Sequence, residues 1–237
     1  VNVDETDANT QCAKGYVWVF SNMETVVYLY REAREGSVLK EMLNGFNGVL
    51  ISDFYTAYDS MPCAQQKCLI HLIRDVNEDI LRNPFDDELI ALGKNFTLLI
   101  SPIIDTIDVF GLKRRHLNKH KSKVHSFFKQ IENREYKSEF AKNFQRRLLK
   151  YREKLFTFLE YDGVPWNNNN AEHAIKHFVY LREVIGGTST AKGIQEYLVL
   201  LSICETLRLR NVSFLKFLIS GATDIDDYME SQGNKAA

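Results

Sequence analysis

The sequence lacks strong bias of any one kind, and each absence removes a class of protein. It carries no basic-then-apolar leader of the kind that directs secretion. By inspection no apolar run is long enough to cross a bilayer, so no membrane partner is expected. Only four cysteines occur, Cys12, Cys63, Cys68 and Cys204, at spacings that form no disulfide framework. A reducing, cytoplasmic compartment is therefore the expectation. The four prolines are sparse enough to read one by one, and Pro84, Pro102 and Pro165 are each expected to stop or interrupt a helix. Charge of one sign is missing too. The net charge is −1, which taken alone argues against a polyanion-binding protein. The chain opens at Val1 rather than Met and is expected to be a piece of a longer protein.

What is present is an ordinary globular composition, 45% hydrophobic and 26% charged over 237 residues. That length suits one large domain, or one domain carrying an inserted subdomain. The charge is unevenly spread. Residues 113–154 hold 15 Lys and Arg against 4 Asp and Glu, a local +11 that leaves −12 for the remainder. Such a segment is either an electrostatic footprint for a polyanion or the solvated face of basic helices, and composition alone leaves both open.

Strand patterns fill the first third. Val1 to Thr6 is a short strand-like run ending in carboxylates, Lys14 to Phe20 alternates and is rich in β formers, and Thr25 to Tyr30 reads as a third strand, at spacings short enough for an antiparallel meander. A short helix over 37–43 is expected, with Ser37 as its cap. Gly48 to Asp53 is a wholly apolar run ending in an acid, as a buried strand of a mixed or parallel sheet would read. Phe54 to Tyr58 reads as a turn or short helix and Gln65 to Cys68 as a last short strand. From Leu69 the period changes to that of helices. Leu69, Leu72, Ile73, Val76 and Ile80 share one face up to Asn83-Pro84. Leu89, Leu92, Phe96, Leu99 and Ile103 mark a helix interrupted at Ser101-Pro102. Phe140, Phe144, Leu148, Tyr151, Leu155 and Phe158 form a further stripe. After Gly163-Val-Pro165 come four asparagines, then a helix from Ala171 with Glu172 in its first turn. A loop at Gly186-Gly187, a helix over about 191–209, a short helix capped by Asn211-Val-Ser213, and a frayed acidic tail after Gly221 complete the chain. Strands followed by helices, with a late helix returning to the sheet, give an α/β expectation: a ribonuclease-H-like mixed sheet flanked by helices, with a large all-helical insertion before the final helix. The divisions are 1–74, a first part of the core; 75–162, the insertion; 163–221, the second part of the core; and 222–237, the tail.

Three acids stand at positions where chemistry can use them. Asp4 lies in the first strand, Asp53 ends the buried run, and Glu172 opens a late helix. Ligand groups in open α/β sheets gather at the carboxyl ends of strands, which is where Asp53 falls. Carboxylates from separate elements can hold a pair of hard divalent cations, the arrangement that phosphoryl transfer uses to neutralise the attacking and leaving oxygens. Glu172 has a plainer reading as well, an acid favourably placed at the positive end of a helix dipole.

Five stretches in order carry a family resemblance: Asp4-Glu-Thr6; Gly15-Tyr-Val-Trp-Val; Gly48-Val-Leu-Ile-Ser-Asp53-Phe-Tyr-Thr-Ala-Tyr58; Cys68-Leu-Ile-His71-Leu-Ile-Arg74; and Pro165-Trp-Asn-Asn-Asn-Asn-Ala-Glu172-His173. Together they resemble the insertion-sequence-66 family of DDE transposases from residue 3 to about 221. The last stretch is similar to that family's Pro-Leu-Asp-Asn-Asn-x-x-Glu-Arg signature, with Asn167 where the signature has Asp and His173 where it has Arg. The Glu205-Thr206 helix and the Asn211 to Leu218 close are similar to the family's C-terminal end. The resemblance implies a ribonuclease-H-like enzyme that cleaves DNA at insertion-sequence ends and transfers the strands. It implies Asp4, Asp53 and Glu172 as the catalytic, metal-binding triad, with Mg²⁺ or Mn²⁺ in a two-metal site. Double-stranded DNA is the implied partner, a homo-oligomer on DNA the implied assembly, and the prokaryotic nucleoid the implied place of action. A transposase-derived DNA-binding protein without catalysis, and a metal-dependent nuclease of the same fold, are the alternatives.

Cys68, His71, Arg74, Asn168, Asn169, Lys113, Arg114 and Arg115 are further candidates for positions near DNA. Cys68 and His71 lie one helical turn apart with Cys63 nearby, but no second Cys/His pair at zinc spacing follows. Asn168 and Asn169 read first as helix caps or loop holders. His173 and His177 have i,i+4 spacing with no third ligand evident.

Overall fold

The computed structural model describes residues 1–10, 14–186 and 190–233. The fold is α/β, with five strands and eleven α-helices among the described residues. The chain divides into two compact units, one formed by Val1–Asn44 with Asn169–Ala237, the other by Gly45–Asn168.

The first unit is built on the meander. Strands β1 (Asn2–Asp7), β2 (Tyr16–Ser21) and β3 (Val26–Arg31) pair antiparallel in the expected order. Val17, Val19, Tyr28 and Tyr30 of the strands form a buried core with Ala171, Ala174, Ile175 and Phe178 of α8 (Asn169–Ile185) and with Ile194, Leu198 and Leu201 of α9 (Ala191–Leu209). Helix α9 spans the predicted range. Two of its hydroxyls also serve the outer strand: Ser202 Oγ accepts from the Tyr28 amide at 3.0 Å and Thr206 Oγ1 from the Val26 amide at 3.0 Å. Helix α1 (Ser37–Met42) is present, but Gly36 occupies its N-cap and Ser37 is its first helical residue, so the expected Ser37 cap is not made.

Beyond α9, α10 (Phe214–Ser220) is capped by Ser213, and Gly221 closes it in the left-handed region at φ 70°. The stretch expected to fray contains another helix, α11 (Ile225–Gly233), because buried Tyr228 packs edge-on against Phe217 beside Leu207. The predicted Gly186-Gly187 loop lies partly outside the described residues, as does Cys12.

The second unit holds the parallel pair β4 (Val49–Ser52) and β5 (Ala64–Lys67), in register with Ser52 opposite Lys67. A 3-10 turn over Thr56–Ser60 connects them. The rest is helical: α2 (Leu69–Arg82), α3 (Asp87–Phe110), α4 (Arg114–Leu117), α5 (Lys121–Glu132), α6 (Glu139–Lys150) and α7 (Arg152–Leu155). Their apolar faces meet in one core running from Leu69 to Leu159, with Phe96, Phe127, Phe128, Phe144 and Phe156 linked by edge-on and tilted ring contacts.

Three expectations are corrected here. Pro102 does not interrupt its helix. Helix α3 runs through it for 24 residues. The carbonyl that loses a donor is that of Leu98, four residues back, and Leu98 faces solvent, where water can replace the bond. Helix α3 is also long and apolar enough to cross a membrane by length and composition, contrary to the expectation of no such run. Its Leu89, Leu92, Phe96, Ile100 and Ile103 are spent on the core of this unit. Finally, the stripe from Phe140 to Phe158 spans two helices and the 3-10 turn Thr157–Leu159, and Phe140 is 42% exposed while the other five are buried.

Candidate functional site

In the first unit, Asp4 sits on β1 between buried Val3 and half-buried Glu5. Its Oδ1 accepts from the Glu5 amide at 3.0 Å, so one carboxylate oxygen is held by the strand's own backbone. The neighbouring Glu5 carboxylate accepts from Arg34 Nε at 2.9 Å. Glu172 lies in the first turn of α8, which begins at Asn169, two residues before the predicted start. The asparagines therefore open the helix rather than only precede it. Ala171, Ala174, Ile175 and Phe178 anchor the helix through its buried face. Tyr28 Oη donates to the Ala174 carbonyl at 2.7 Å. At the far end Arg182 donates to Thr6 Oγ1 at 3.2 Å and to the Asp7 carbonyl. These bonds fix α8 lengthwise along β1, and with it the placement of Glu172 in the same unit as Asp4.

In the second unit, Asp53 follows β4 directly. Its Oδ1 accepts from the Tyr55 amide at 2.8 Å, an Asx turn that redirects the chain at the carboxyl end of the strand. Its neighbour Ser52 is fully buried, and Ser52 Oγ bonds the Asp53 carbonyl at 3.0 Å. At the matching end of β5, buried Cys68 precedes α2; its amide donates to the Ser52 carbonyl at 2.8 Å. Cys68 Sγ accepts from the Asn168 amide at 3.2 Å, and the Leu69 amide donates to the Trp166 carbonyl at 3.0 Å. Cys68 and buried Asn168 thus stitch the asparagine-rich loop to the start of α2. A ring nitrogen of His71 comes within 4.8 Å of Cys68 Sγ. Arg74, one turn further, is exposed.

The strongest electrostatic feature of this end was not anticipated. Lys67 is fully buried, with Nζ 3.2 Å from Asp59 Oδ1 and 3.3 Å from Ser52 Oγ, over the rings of Tyr58 and Tyr151 at 5.5 and 5.7 Å. Lys154 Nζ reaches the same Asp59 oxygen at 3.0 Å. Burial pulls the Lys67 ammonium below its ordinary pKa, against the opposing pull of Asp59. Burial alone would raise the Asp59 carboxyl, but the bond from Lys154 and the charge of Lys67 hold it below the usual carboxylate value. The sequence signal was a lysine closing an otherwise uncharged strand, immediately before Cys68.

The basic segment distributes over α4 to α7. Lys113, Arg114 and Arg115 are exposed around the start of α4, where the Arg114 amide is capped by Asp162 Oδ1 at 2.8 Å. His116 stacks on Phe110 with ring centroids 4.3 Å apart.

No curated protein and no solved structure matches the chain. The model described as "Transposase IS66 family" matches residues 1–196, a span containing Asp4, Asp53, Glu172 and the whole helical segment between them. That match covers well over half of the chain, which therefore belongs to the IS66 transposase family.

Proposed function

We propose that the chain is the catalytic part of a DNA transposase, with a ribonuclease-H-like core and a helical insertion at 75–162, that cleaves strands at insertion-sequence ends and joins them to target DNA. Family membership over residues 1–196 carries this reading. Asp4, Asp53 and Glu172 are the residues assigned to hold Mg²⁺ or Mn²⁺. The donor chemistry fits: each is a half-buried carboxylate, and hard oxygen ligands from a few side chains suit a Mg²⁺ that keeps sites for water and phosphate. Bound there, the ions supply charge neutralisation at the attacking and leaving oxygens of the phosphodiester.

The chain's own residues supply placement. The backbone bonds to Asp4 Oδ1 and Asp53 Oδ1 hold each carboxylate in one orientation, and Arg182 and Tyr28 fix the helix that carries Glu172. Cys68 and Asn168 hold the loop that precedes that helix. Lys113, Arg114 and Arg115 meet DNA phosphates, as the exposed residues of a segment with net charge +11, and the active form is a homo-oligomer on paired ends.

The test is cleavage and strand transfer on a labelled element-end duplex in Mg²⁺ or Mn²⁺, comparing the wild type with Glu172→Gln. Joined products from the wild type, lost in the variant, are expected. Joined products from both would remove Glu172 from the triad. Cleavage without joining would replace the transposase by a nuclease of the same fold.

A further inference from the structure

Lys67 raises a question that stability does not answer. An ammonium fully buried against the rings of Tyr58 and Tyr151 is a cost to the fold, and a methionine would fill much the same volume without it. Its partner Asp59 has a second cation in Lys154, so the acid does not depend on Lys67 for its pairing. A buried charge kept against its own desolvation points to a task beyond the core.

The bonds at its head show where that task lies. An ammonium can only donate. One N–H points to Asp59 Oδ1 at 3.2 Å and another to Ser52 Oγ at 3.3 Å. Ser52 is fully buried, and its hydroxyl has a single proton of its own. With Lys67 donating to the oxygen, that proton goes to the Asp53 carbonyl at 3.0 Å. The direction of the chain is thereby fixed, from Lys67 Nζ to Ser52 Oγ to the Asp53 carbonyl. Sheet register sets Ser52 opposite Lys67, and the Cys68 amide takes the Ser52 carbonyl at 2.8 Å. Asp53 is the first residue past β4, and its side chain turns back to the Tyr55 amide at 2.8 Å. Carbonyl and carboxylate of this one residue are thus both tied down, the carbonyl by the buried lysine through Ser52. The charge of Asp53 is the weakest pull on Lys67, after burial, Asp59 and Lys154. The serine, rather than direct attraction, is therefore what links the two residues.

We propose that Lys67 is a positioning residue for Asp53, acting through Ser52 to hold the acid in place for a divalent cation. The proposal rests on the reading of Asp53 as a metal ligand. Lys67, Ser52, Asp53 and Tyr55 all belong to the second unit, so the chain of bonds is complete within one compact body. A partner that orients a ligand without touching the metal acts on affinity through placement.

The test uses the whole chain and two readouts. One is hydrogen exchange of the Tyr55 amide by NMR, without metal; the other is Mn²⁺ affinity, read from the EPR signal of the free ion. Wild type, Lys67→Met, Ser52→Ala, their double variant and Asp53→Asn are compared, the last defining which Mn²⁺ binding belongs to this site. Lys67→Met and Ser52→Ala should each speed Tyr55 exchange about tenfold, while the Leu72 and Val76 amides of α2 keep their protection and show the unit folded. Each should also weaken Mn²⁺ binding about tenfold, the low end for a group one step behind a ligand. Charge alone gives the opposite sign, because removing an ammonium lessens repulsion of the cation. Tighter Mn²⁺ binding by Lys67→Met therefore overturns the positioning role. The double variant should be no worse than the worse single one, since both break the same chain. Effects that add overturn the route through Ser52. Unchanged Tyr55 exchange and Mn²⁺ affinity in Lys67→Met, with Asp53→Asn still weakening Mn²⁺, overturn the proposal and leave the metal reading standing. Undiminished Mn²⁺ binding by Asp53→Asn overturns both.

Discussion

Removing the carboxylate of Asp59 should destabilise the unit formed by residues 45–168 far more than removing the ammonium of Lys67 that it faces. Lys67 is fully buried, whereas the Asp59 side chain is 25% exposed and has a second cationic partner in Lys154. Asp59→Ala leaves an ammonium in the interior with Ser52 Oγ, two aromatic faces and the weaker pull of the Asp53 charge. Breaking a buried pair in this way costs about 3–5 kcal/mol. Partial exposure of Asp59 places the expectation at the lower end, about 3 kcal/mol. Lys67→Met keeps most of the side-chain volume, leaves Asp59 paired with Lys154, and removes a desolvated charge. Its cost should stay within about 1 kcal/mol and could be of either sign. Urea unfolding followed by circular dichroism reads the difference. With a slope of about 2 kcal/mol per molar, Asp59→Ala should lower the midpoint of this unit's transition by about 1.5 M, and Lys67→Met by no more than about 0.5 M. If Lys67→Met proved as damaging as Asp59→Ala, the desolvation argument would be refuted, and the lysine would be a net contributor through its pairing.

The same pair sets a pH profile. Asp59 has a folded pKa below its ordinary 3.8, so its contribution is present above that value and is lost as pH falls through the folded value. Lys67 is depressed below 10.5, so its penalty is full at low pH and is relieved as pH rises through the folded value toward 10.5. Urea midpoints across pH should therefore show an acid limb that Asp59→Asn flattens and an alkaline rise that Lys67→Met removes. Ser138 caps α6 and also bonds Asp86, the cap of α3. Ser138→Ala should cost about 1–2 kcal/mol in the same assay, and no loss would mean that solvent replaces both bonds. Arg114→Ala and Arg115→Ala should each weaken duplex binding evenly across sequences and reduce the salt slope of log K by about 1. An unchanged slope would remove these residues from the DNA surface.

Local pattern carried the sequence reading where one physical signal dominated. Short runs of β formers, closely spaced, placed β1, β2 and β3, and the bare apolar run of β4 ending at Asp53 was visible because strands buried on both faces have no polar period. Helix α9 was legible from its bounds even though apolar residues surround it, Val199 and Leu200 being exposed. The misses came from long-range partners. Nothing near Pro102 in sequence says that Leu98 faces water. Nothing near Tyr228 says that Phe217 and Leu207 await it, so a polar stretch read as a tail. Lys67 was passed over because its partner Asp59 lies in the turn Thr56–Ser60, and the Tyr151 ring and Lys154, the second cation on Asp59, come from a segment more than 80 residues away. The placements of Asp4 on β1 and of Glu172 at the start of α8 were legible, but the hydrogen bonds that orient their elements were not.

The order in which the first unit is completed has a consequence for synthesis. Its three strands are made first, yet the helices that cover them lie beyond Asn168. The outer amides of Val26 and Tyr28 receive their hydroxyl partners only when Thr206 and Ser202 arrive. At translation rates of about 5–20 residues per second, the roughly 175 residues between those partners take about 9–35 s to appear. For that interval the nascent meander presents an open strand edge, the kind of edge that pairs with other chains. The second unit, continuous from Gly45 to Asn168, has no such wait. A ribosome translating this message therefore carries an unsealed sheet behind a body free to fold, and aggregation during overexpression should begin at β3.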